Sequence, residues 1–173
     1  QTSTQQVSQQ VLAGDADMGL CFSMAPVKDI YVAYRQSAPV LAVLQPSHPL
    51  NAQRIVNLAQ LVAQPLALPP PTTTIRQMID MACSRQSLPL EPVLTSNHAK
   101  TLLNFVLHGG GATVSSEVGV RHMLATGALV AKPLSDAGMD LRDIEVQTLA
   151  GRHLPAAAEA FLDLLVLRLQ MAG

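Results

Sequence analysis

Short apolar runs of strand length alternate along this chain with segments whose apolar residues recur at helical spacing. The strand-like runs are residues 18–22, 30–34, 39–44, 65–68, 93–95, 112–115, 129–132 and 144–149. The helix-like segments are residues 4–13, 57–62, 75–82, 97–106, 118–124 and 155–169. Such alternation predicts an α/β fold with mostly parallel strand pairing.

Composition limits what such a fold can do. Hydrophobic residues make up 49% of the 173 residues and charged residues only 13%, which excludes a disordered tail. Aromatic residues make up 3%, so the core must be aliphatic, and a platform for stacking bases or sugars is not expected. The last helix-like segment carries Ala158, Phe161, Leu162, Leu165 and Leu169 on one stripe, which predicts an amphipathic helix.

The net charge of the chain argues against direct binding to duplex DNA. It is −1, and the 11 lysine and arginine residues are scattered rather than clustered. Phosphate neutralisation supplies much of the affinity for DNA, so a binding surface needs a basic footprint. If a longer parent protein binds DNA, we expect another segment to do so.

The sequence shows no catalytic or metal-binding constellation. Cys21 and Cys83 form no CxxC pair and are interpreted as small buried residues in a reducing compartment. The histidines lack HxxxH spacing, so no metal and no cofactor is predicted. The triple glycine at 109–111 lacks the lysine of a phosphate-binding loop, and we interpret it as a helix end packed closely against neighbouring backbone.

Targeting signals are also missing from the sequence. No signal peptide precedes residue 20, and no apolar run reaches the ~18 residues of a membrane span. We therefore expect a cytoplasmic protein without membrane contact. Because the chain opens on Gln1-Thr-Ser-Thr, we also expect that an N-terminal segment precedes it.

Three stretches carry a resemblance to a known family. They are VLAGDADMGL at 11–20, PVLAVLQPSHPL at 39–50 and LNFVLHGGGA at 103–112, followed in the same order by GALVAKPL at 127–134 and AAAEAFLDLL at 156–165. In this order and spacing they resemble the effector-binding domain of LysR-type transcriptional regulators. The chain departs from the family where a proline is common near Ser115-Ser116 and where a serine often replaces Leu154.

The resemblance implies a fold and a domain organisation. The family fold consists of two Rossmann-like lobes joined by two crossover strands, like a type 2 periplasmic binding protein. By analogy, lobe I is residues 1–37 plus 141–173 and lobe II is residues 38–140. The family's first strand, first helix, linker helix and winged helix-turn-helix are expected to precede residue 1, so lobe I is expected to be incomplete.

The resemblance also implies a function. A small-molecule effector binds between the lobes and the signal passes to the helix-turn-helix, in a homodimer or tetramer that contacts DNA only through the missing domain. A freestanding solute-binding protein of the same fold is the alternative. An enzyme of the same fold is a third hypothesis, which the absence of a catalytic constellation disfavours.

Short hydroxyl and amide side chains lie at the predicted joints between strands and helices. Free N–H groups at helix starts favour carboxylates, so a carboxylate effector is expected there. The predicted ligand-contacting residues are Thr4, Phe22, Ser23, Thr72, Thr73, Thr74, Ser96, Asn97 and Ser115. The resemblance favours Thr4 most, because it matches a ligand-contacting threonine of the family.

Each of these residues also has a structural interpretation. Thr4, Thr74 and Asn97 are types that cap helices, and a cap need not touch a ligand. Phe22 fits a core aromatic as well as a pocket wall. Arg76, in the first turn of its helix, fits either a solvated surface arginine or a partner for a ligand carboxylate.

Overall fold

The structure, a computed structural model, describes residues 4–23, 26–139 and 143–170. These residues divide into two compact units. The central unit is formed by residues 38–139, and the terminal unit by residues 4–37 together with 143–170. Each unit has its own sheet.

The elements alternate largely as the sequence predicts. The strands are β1 (Met18–Phe22), β2 (Ile30–Ser37), β3 (Val40–Leu44), β4 (Leu66–Leu68), β5 (Leu94–Thr95), β6 (Ala112–Ser116), β7 (Val130–Pro133) and β8 (Asp143–Leu149). The helices are α1 (Thr4–Ala13), α2 (Leu58–Val62), α3 (Thr74–Arg85), α4 (Ala99–Leu107), α5 (Glu117–Ala125) and α6 (Ala156–Gln170), with a 3-10 turn at Pro49–Ala52. Within the described ranges, no helix is long and apolar enough to cross a membrane.

The terminal unit contains a three-stranded sheet in the order β1-β8-β2, and α1 packs on it. Val7 and Val11 of α1 lie against Gly19 of β1, where a Cβ atom would collide with the Val7 side chain. Glycine at position 19 thus sets how closely α1 approaches the sheet. Cys21 is buried on β1 opposite Glu145, as expected for a structural cysteine.

The central unit contains a five-stranded sheet in the order β5-β4-β6-β3-β7. Its core is aliphatic, as the composition predicts, with Leu44, Leu58, Leu68 and Ile79 almost completely buried. Cys83 is buried in the same cluster. The central sheet therefore packs on a buried aliphatic core, as expected for an α/β unit.

The prediction of mostly parallel pairing is wrong. In the described residues, the parallel ladders are those that join β4 to β5 and to β6, whereas the ladders at β3 and β8 are antiparallel. Parallel neighbours need a crossover connection, usually a helix. Strand β8 instead pairs between β1 and β2 and runs antiparallel to both, and hydrophobic spacing carries no information on strand direction.

Two further predictions concern α6 and the end of α4. The stripe on α6 is only partly covered, because Leu169 is buried, Leu162 and Leu165 are half-buried and Phe161 is 57% exposed. The chain after α4 does pack closely, since a Cβ atom on Gly111 would collide with the Pro65 carbonyl oxygen. The glycines end α4 as predicted, since Gly109 has a positive φ of 75° and donates its N–H to the Val106 carbonyl oxygen, and the Gly110 N–H donates to the Phe105 carbonyl oxygen.

Candidate functional site

The terminal unit has a half-open cavity of about 440 Å³. It is lined by Thr4, Gln5, Ser8, Gln9, Leu12, Pro26, Val27 and Gln147. Five of these residues lie on α1, and Thr4, Ser8 and Leu12 repeat every four residues, which places them on one helix face. The wall they form is polar at the start of the helix and apolar towards its end.

A chain of hydrogen bonds lies beneath this cavity. The Ser8 hydroxyl donates to Gln147 Oε1 (2.7 Å), and Gln147 Nε2 donates to Glu145 Oε2 (3.1 Å). The other oxygen of Glu145 accepts from the Ser23 hydroxyl and from Arg35 Nη2, both at 2.6 Å. We call these five residues the Glu145 network. Its carboxylate and the Ser8 and Gln147 side chains are buried, whereas the Arg35 side chain is half exposed.

The Glu145 network keeps its carboxylate charged. Burial raises the pKa of Glu145, but the hydrogen bonds from Ser23, Gln147 and Arg35, together with the Arg35 charge, outweigh burial and lower this pKa below its ordinary value. Burial, with a contribution from the Glu145 charge, raises the pKa of the Cys21 thiol to about 11. The thiol therefore stays protonated and is a poor nucleophile at neutral pH.

The central unit has a much smaller pocket of about 30 Å³. It is lined by Pro69, Ile75, Ala99, Leu102, Leu103, Thr113, Val114 and Ser115. A space of this size admits a water molecule but no metabolite. Of the predicted site residues, only Ser115 belongs to this lining.

The predicted site residues of the terminal unit lie in one neighbourhood. Thr4 lines the large cavity, and its hydroxyl donates to the Phe22 carbonyl oxygen (3.3 Å), which ties the start of α1 to the end of β1. Ser23 is outside the lining but reaches Gln147 through Glu145. The Phe22 side chain is half-buried and lines neither pocket.

In the central unit, Thr73 precedes α3, and its hydroxyl donates to the Pro70 carbonyl oxygen (2.9 Å). Thr74 is the first residue of the helix rather than its cap, and Thr72 is exposed. The alternative interpretation of Thr74 as a cap is therefore wrong. Thr73 has the extended backbone that is typical of an N-cap, and α3 begins at the next residue.

The joint before α4 differs from its prediction as well. The cap residue is His98 and makes no side-chain cap bond, so the prediction that Ser96 and Asn97 cap this helix is wrong. The Ser96 hydroxyl instead accepts from the His98 N–H (3.1 Å), and Asn97 is exposed. A serine that closes a local turn in this way delays the helix start.

Arg76 does not fit its interpretation as a solvated surface arginine. Its side chain is only 11% exposed, so it is not a solvated surface arginine. Its Nε donates to Asp80 Oδ1 (2.7 Å) and its Nη1 to the Pro69 carbonyl oxygen (3.3 Å). The guanidinium thus joins the start of α3 to the preceding turn.

Apart from Ser23, sequence reasoning missed the residues that build the Glu145 network. Strand β8 reads DIEVQTL, in which Asp143, Glu145 and Gln147 alternate with apolar residues. This period of two places the polar side chains on one sheet face, which is ordinarily the solvated face. Here that face lies on the α1 side, because Gln147 pairs with Gly19, on which α1 rests.

Comparison with known proteins defines the class to which this fold and cavity belong. The model of the LysR substrate-binding domain family matches residues 1–170, and the chain belongs to that family. It is 27% identical over 131 residues to the HTH-type transcriptional regulator BbuR of Bordetella bronchiseptica, which covers 76% of this chain and 40% of BbuR. The chain thus spans less than half the length of that relative.

Solved structures support the same fold. The effector-binding domain of QuiR, in complex with shikimate, is 16% identical to this chain with a TM-score of 0.70. The match covers 94% of this chain and 76% of the QuiR chain. The regulatory domain of CcmR from Synechocystis PCC6803, in complex with 2-PG, is 18% identical with a TM-score of 0.70. The match covers 95% of this chain and 79% of the CcmR chain. The predicted fold class and family are confirmed, and a regulatory domain is favoured over a freestanding solute-binding protein.

Proposed function

We propose that this chain is the effector-sensing part of a DNA-binding transcriptional regulator. The observation that carries the proposal is the position of Thr4 at the start of α1, bonded to the end of β1, in a domain of the LysR family. An effector changes the output of the parent protein only if it binds two conformations with different affinity. DNA binding belongs to a segment outside this chain.

The proposed effector contacts are Thr4, Phe22 and Ser23 of the terminal unit and, in the central unit, Thr72, Thr73, Thr74, Ser96, Asn97 and Ser115. That both units contribute to one ligand rests on the family resemblance. Start residues of α3 and α5 offer backbone N–H groups suited to a carboxylate. The bound shikimate of QuiR and 2-PG of CcmR agree with a small oxygen-rich effector.

We further propose a cytoplasmic homodimer or tetramer for the full-length protein. Helix α6 supports self-association, since Phe161, Leu164 and Leu167 are each more than half exposed. Exposed apolar side chains in such a row are typical of protein contact surfaces.

A ligand screen with a matched variant pair tests the effector site. Shikimate, 2-PG and other small carboxylates are screened by thermal shift, where an effector at 100 times its Kd adds about 2.7 kcal/mol of stability. Thr4→Val should weaken that ligand by about 0.5–1.5 kcal/mol, whereas Thr101→Val, at an exposed site on α4, should leave affinity unchanged. Unchanged affinity with a lowered melting temperature for Thr4→Val would make Thr4 purely structural.

A gel-shift measurement tests the assignment of DNA binding to another segment. The 173-residue chain carries a net charge of −1, and we expect it to leave duplex DNA unretarded at physiological salt. Tight retardation by this chain alone would contradict the proposal.

A further inference from the structure

We propose that the cavity of the terminal unit binds an uncharged small molecule that has an apolar body and one amide or hydroxyl group. This site lies entirely within the terminal unit. It shares only Thr4 with the proposed effector contacts, and its ligand class differs from the carboxylate proposed there. The inference therefore adds a second binding capacity to the proposed function.

The dimensions and walls of the cavity fit such a ligand. A volume of about 440 Å³ falls within the range of small-molecule sites, which are mostly apolar with a few polar groups. Leu12, Pro26 and Val27 form the apolar wall, and Leu12 and Val27 are still partly exposed. A ligand that covers these side chains gains the free energy of removing them from water.

Two of the buried polar residues of the lining, Ser8 and Gln147, define what the ligand must offer. Each is 4% exposed. Because the Glu145 carboxylate can only accept, Gln147 must turn its Nε2 towards Glu145 and its Oε1 towards the Ser8 hydroxyl. Ser8 then keeps acceptor capacity and Gln147 keeps a second amide hydrogen. A group that both donates and accepts, such as an amide or a hydroxyl, complements this pair.

The lining of the cavity favours an uncharged ligand over a charged one. None of the eight lining residues is ionisable at neutral pH, so a buried charge would find no counter-charge among them. An anion would also lie near the Glu145 carboxylate, which is one hydrogen bond behind Gln147. A cation gains little from Glu145, because Arg35 and two further donors already satisfy that carboxylate.

Three nearly isosteric probes test the ligand class. Benzamide, benzoate and benzylammonium are titrated into the 173-residue chain while backbone amide signals are followed by NMR. Benzamide should shift the signals of Gln5, Ser8, Leu12 and Gln147, with a Kd at least about tenfold lower than those of the two charged probes. The proposal is overturned if benzamide shifts none of these signals, or if benzoate binds as tightly at the same residues.

A matched pair of variants tests the location. Leu12→Trp fills the cavity from a partly exposed helix position, and Leu167→Trp makes the same change at an exposed position of α6. Benzamide binding should be lost in Leu12→Trp and kept in Leu167→Trp, with both variants folded by circular dichroism. Retention of benzamide binding by a folded Leu12→Trp would place the site elsewhere.

These tests are separable from the test of the proposed function. Leu12 and Gln147 are not among the proposed effector contacts. Loss of benzamide binding with an intact thermal response to the effector therefore bears on the cavity alone. An effector response that fails while benzamide still binds bears on the proposed function alone.

Discussion

The two units of this molecule bury different chemistry. The central unit has an aliphatic cluster that includes Val40, Leu44, Leu58, Leu68 and Ile79. The terminal unit instead buries polar and charged side chains between α1 and its sheet, and these are Thr4, Ser8, Glu145 and Gln147. The terminal unit is also where the large cavity lies.

The difference teaches which unit provides stability and which provides a site. Aliphatic burial stabilises without demanding fixed partners, since it depends on area removed from water. A buried polar network is tolerated only when each member finds a partner. In the terminal unit that condition fixes the orientation of Ser8, Gln147 and Ser23, which is what a binding surface requires.

Leucine truncations in the two units test this contrast, and the largest effect is expected in the central unit. Leu44→Ala should lower the free energy of unfolding by about 2–5 kcal/mol, because Leu44 is fully buried within the aliphatic cluster. Leu169→Ala, at the buried residue of α6, should cost less because that helix packs sparsely. Denaturant unfolding measures both, and a cost for Leu169→Ala equal to that for Leu44→Ala would break the comparison.

A pair of glycine substitutions separates close packing from backbone strain within the central unit. Both glycines have positive φ, but a Cβ on Gly111 meets the Pro65 carbonyl, whereas a Cβ on Gly127 meets nothing within 4 Å. Gly127→Ala should cost about 1–2 kcal/mol from strain alone, and Gly111→Ala at least about 1 kcal/mol more. Equal melting temperatures for the two variants would show that close packing at Gly111 costs nothing.

Removing the charge of Glu145 tests the polar core of the terminal unit. Glu145→Gln replaces the carboxylate that accepts from Ser23 and Arg35 with a neutral amide, whose NH2 group cannot accept. The free energy of unfolding should fall by about 1–3 kcal/mol at neutral pH. Glu159→Gln, at an exposed site on α6, serves as the control and should change stability by less than about 0.5 kcal/mol.

The same variant has a predicted pH dependence. The pKa of Glu145 is lower in the folded chain than its ordinary value of 4.5, so its stabilising contribution is complete above that value. It is lost as pH falls through the lowered folded-state pKa. The stability gap between the parent chain and Glu145→Gln should therefore narrow in acid, and a gap that stays constant down to low pH would contradict the network.

The smallest expected effect belongs to the turn that follows β3. His48 Nδ1 accepts from the Leu50 N–H (3.2 Å), which requires a neutral ring, and burial lowers the pKa of His48. Its contribution is complete above the ordinary value of 6.5 and is lost as pH falls from there through the lowered pKa. His48→Asn keeps an acceptor that does not titrate. Its free energy of unfolding should therefore fall less than that of the parent chain as the pH drops below 6.5, by a difference of less than about 1 kcal/mol.

The sequence predicted where most helices and strands lie, but few of the contacts that their side chains make. Residues 4–13 and 18–22 were assigned correctly because helical spacing and continuous apolar runs are local signals. The stripe predicted on α6 is buried only in part, since spacing shows that a stripe exists but not what covers it. The roles of Thr4, Ser23 and the other proposed contacts stay predictions.

By itself, the sequence determined the α/β class, the aliphatic central core and the family, because apolar spacing and the order of short motifs are properties of the chain alone. Tertiary structure decided the strand directions and the burial of Glu145 and Gln147. The polar alternation on β8 is the same whether its face meets water or a helix. Only the packing of α1 on Gly19 and the long-range donors Ser8, Ser23 and Arg35 made that face an interior one, and those partners are more than one hundred residues away in sequence.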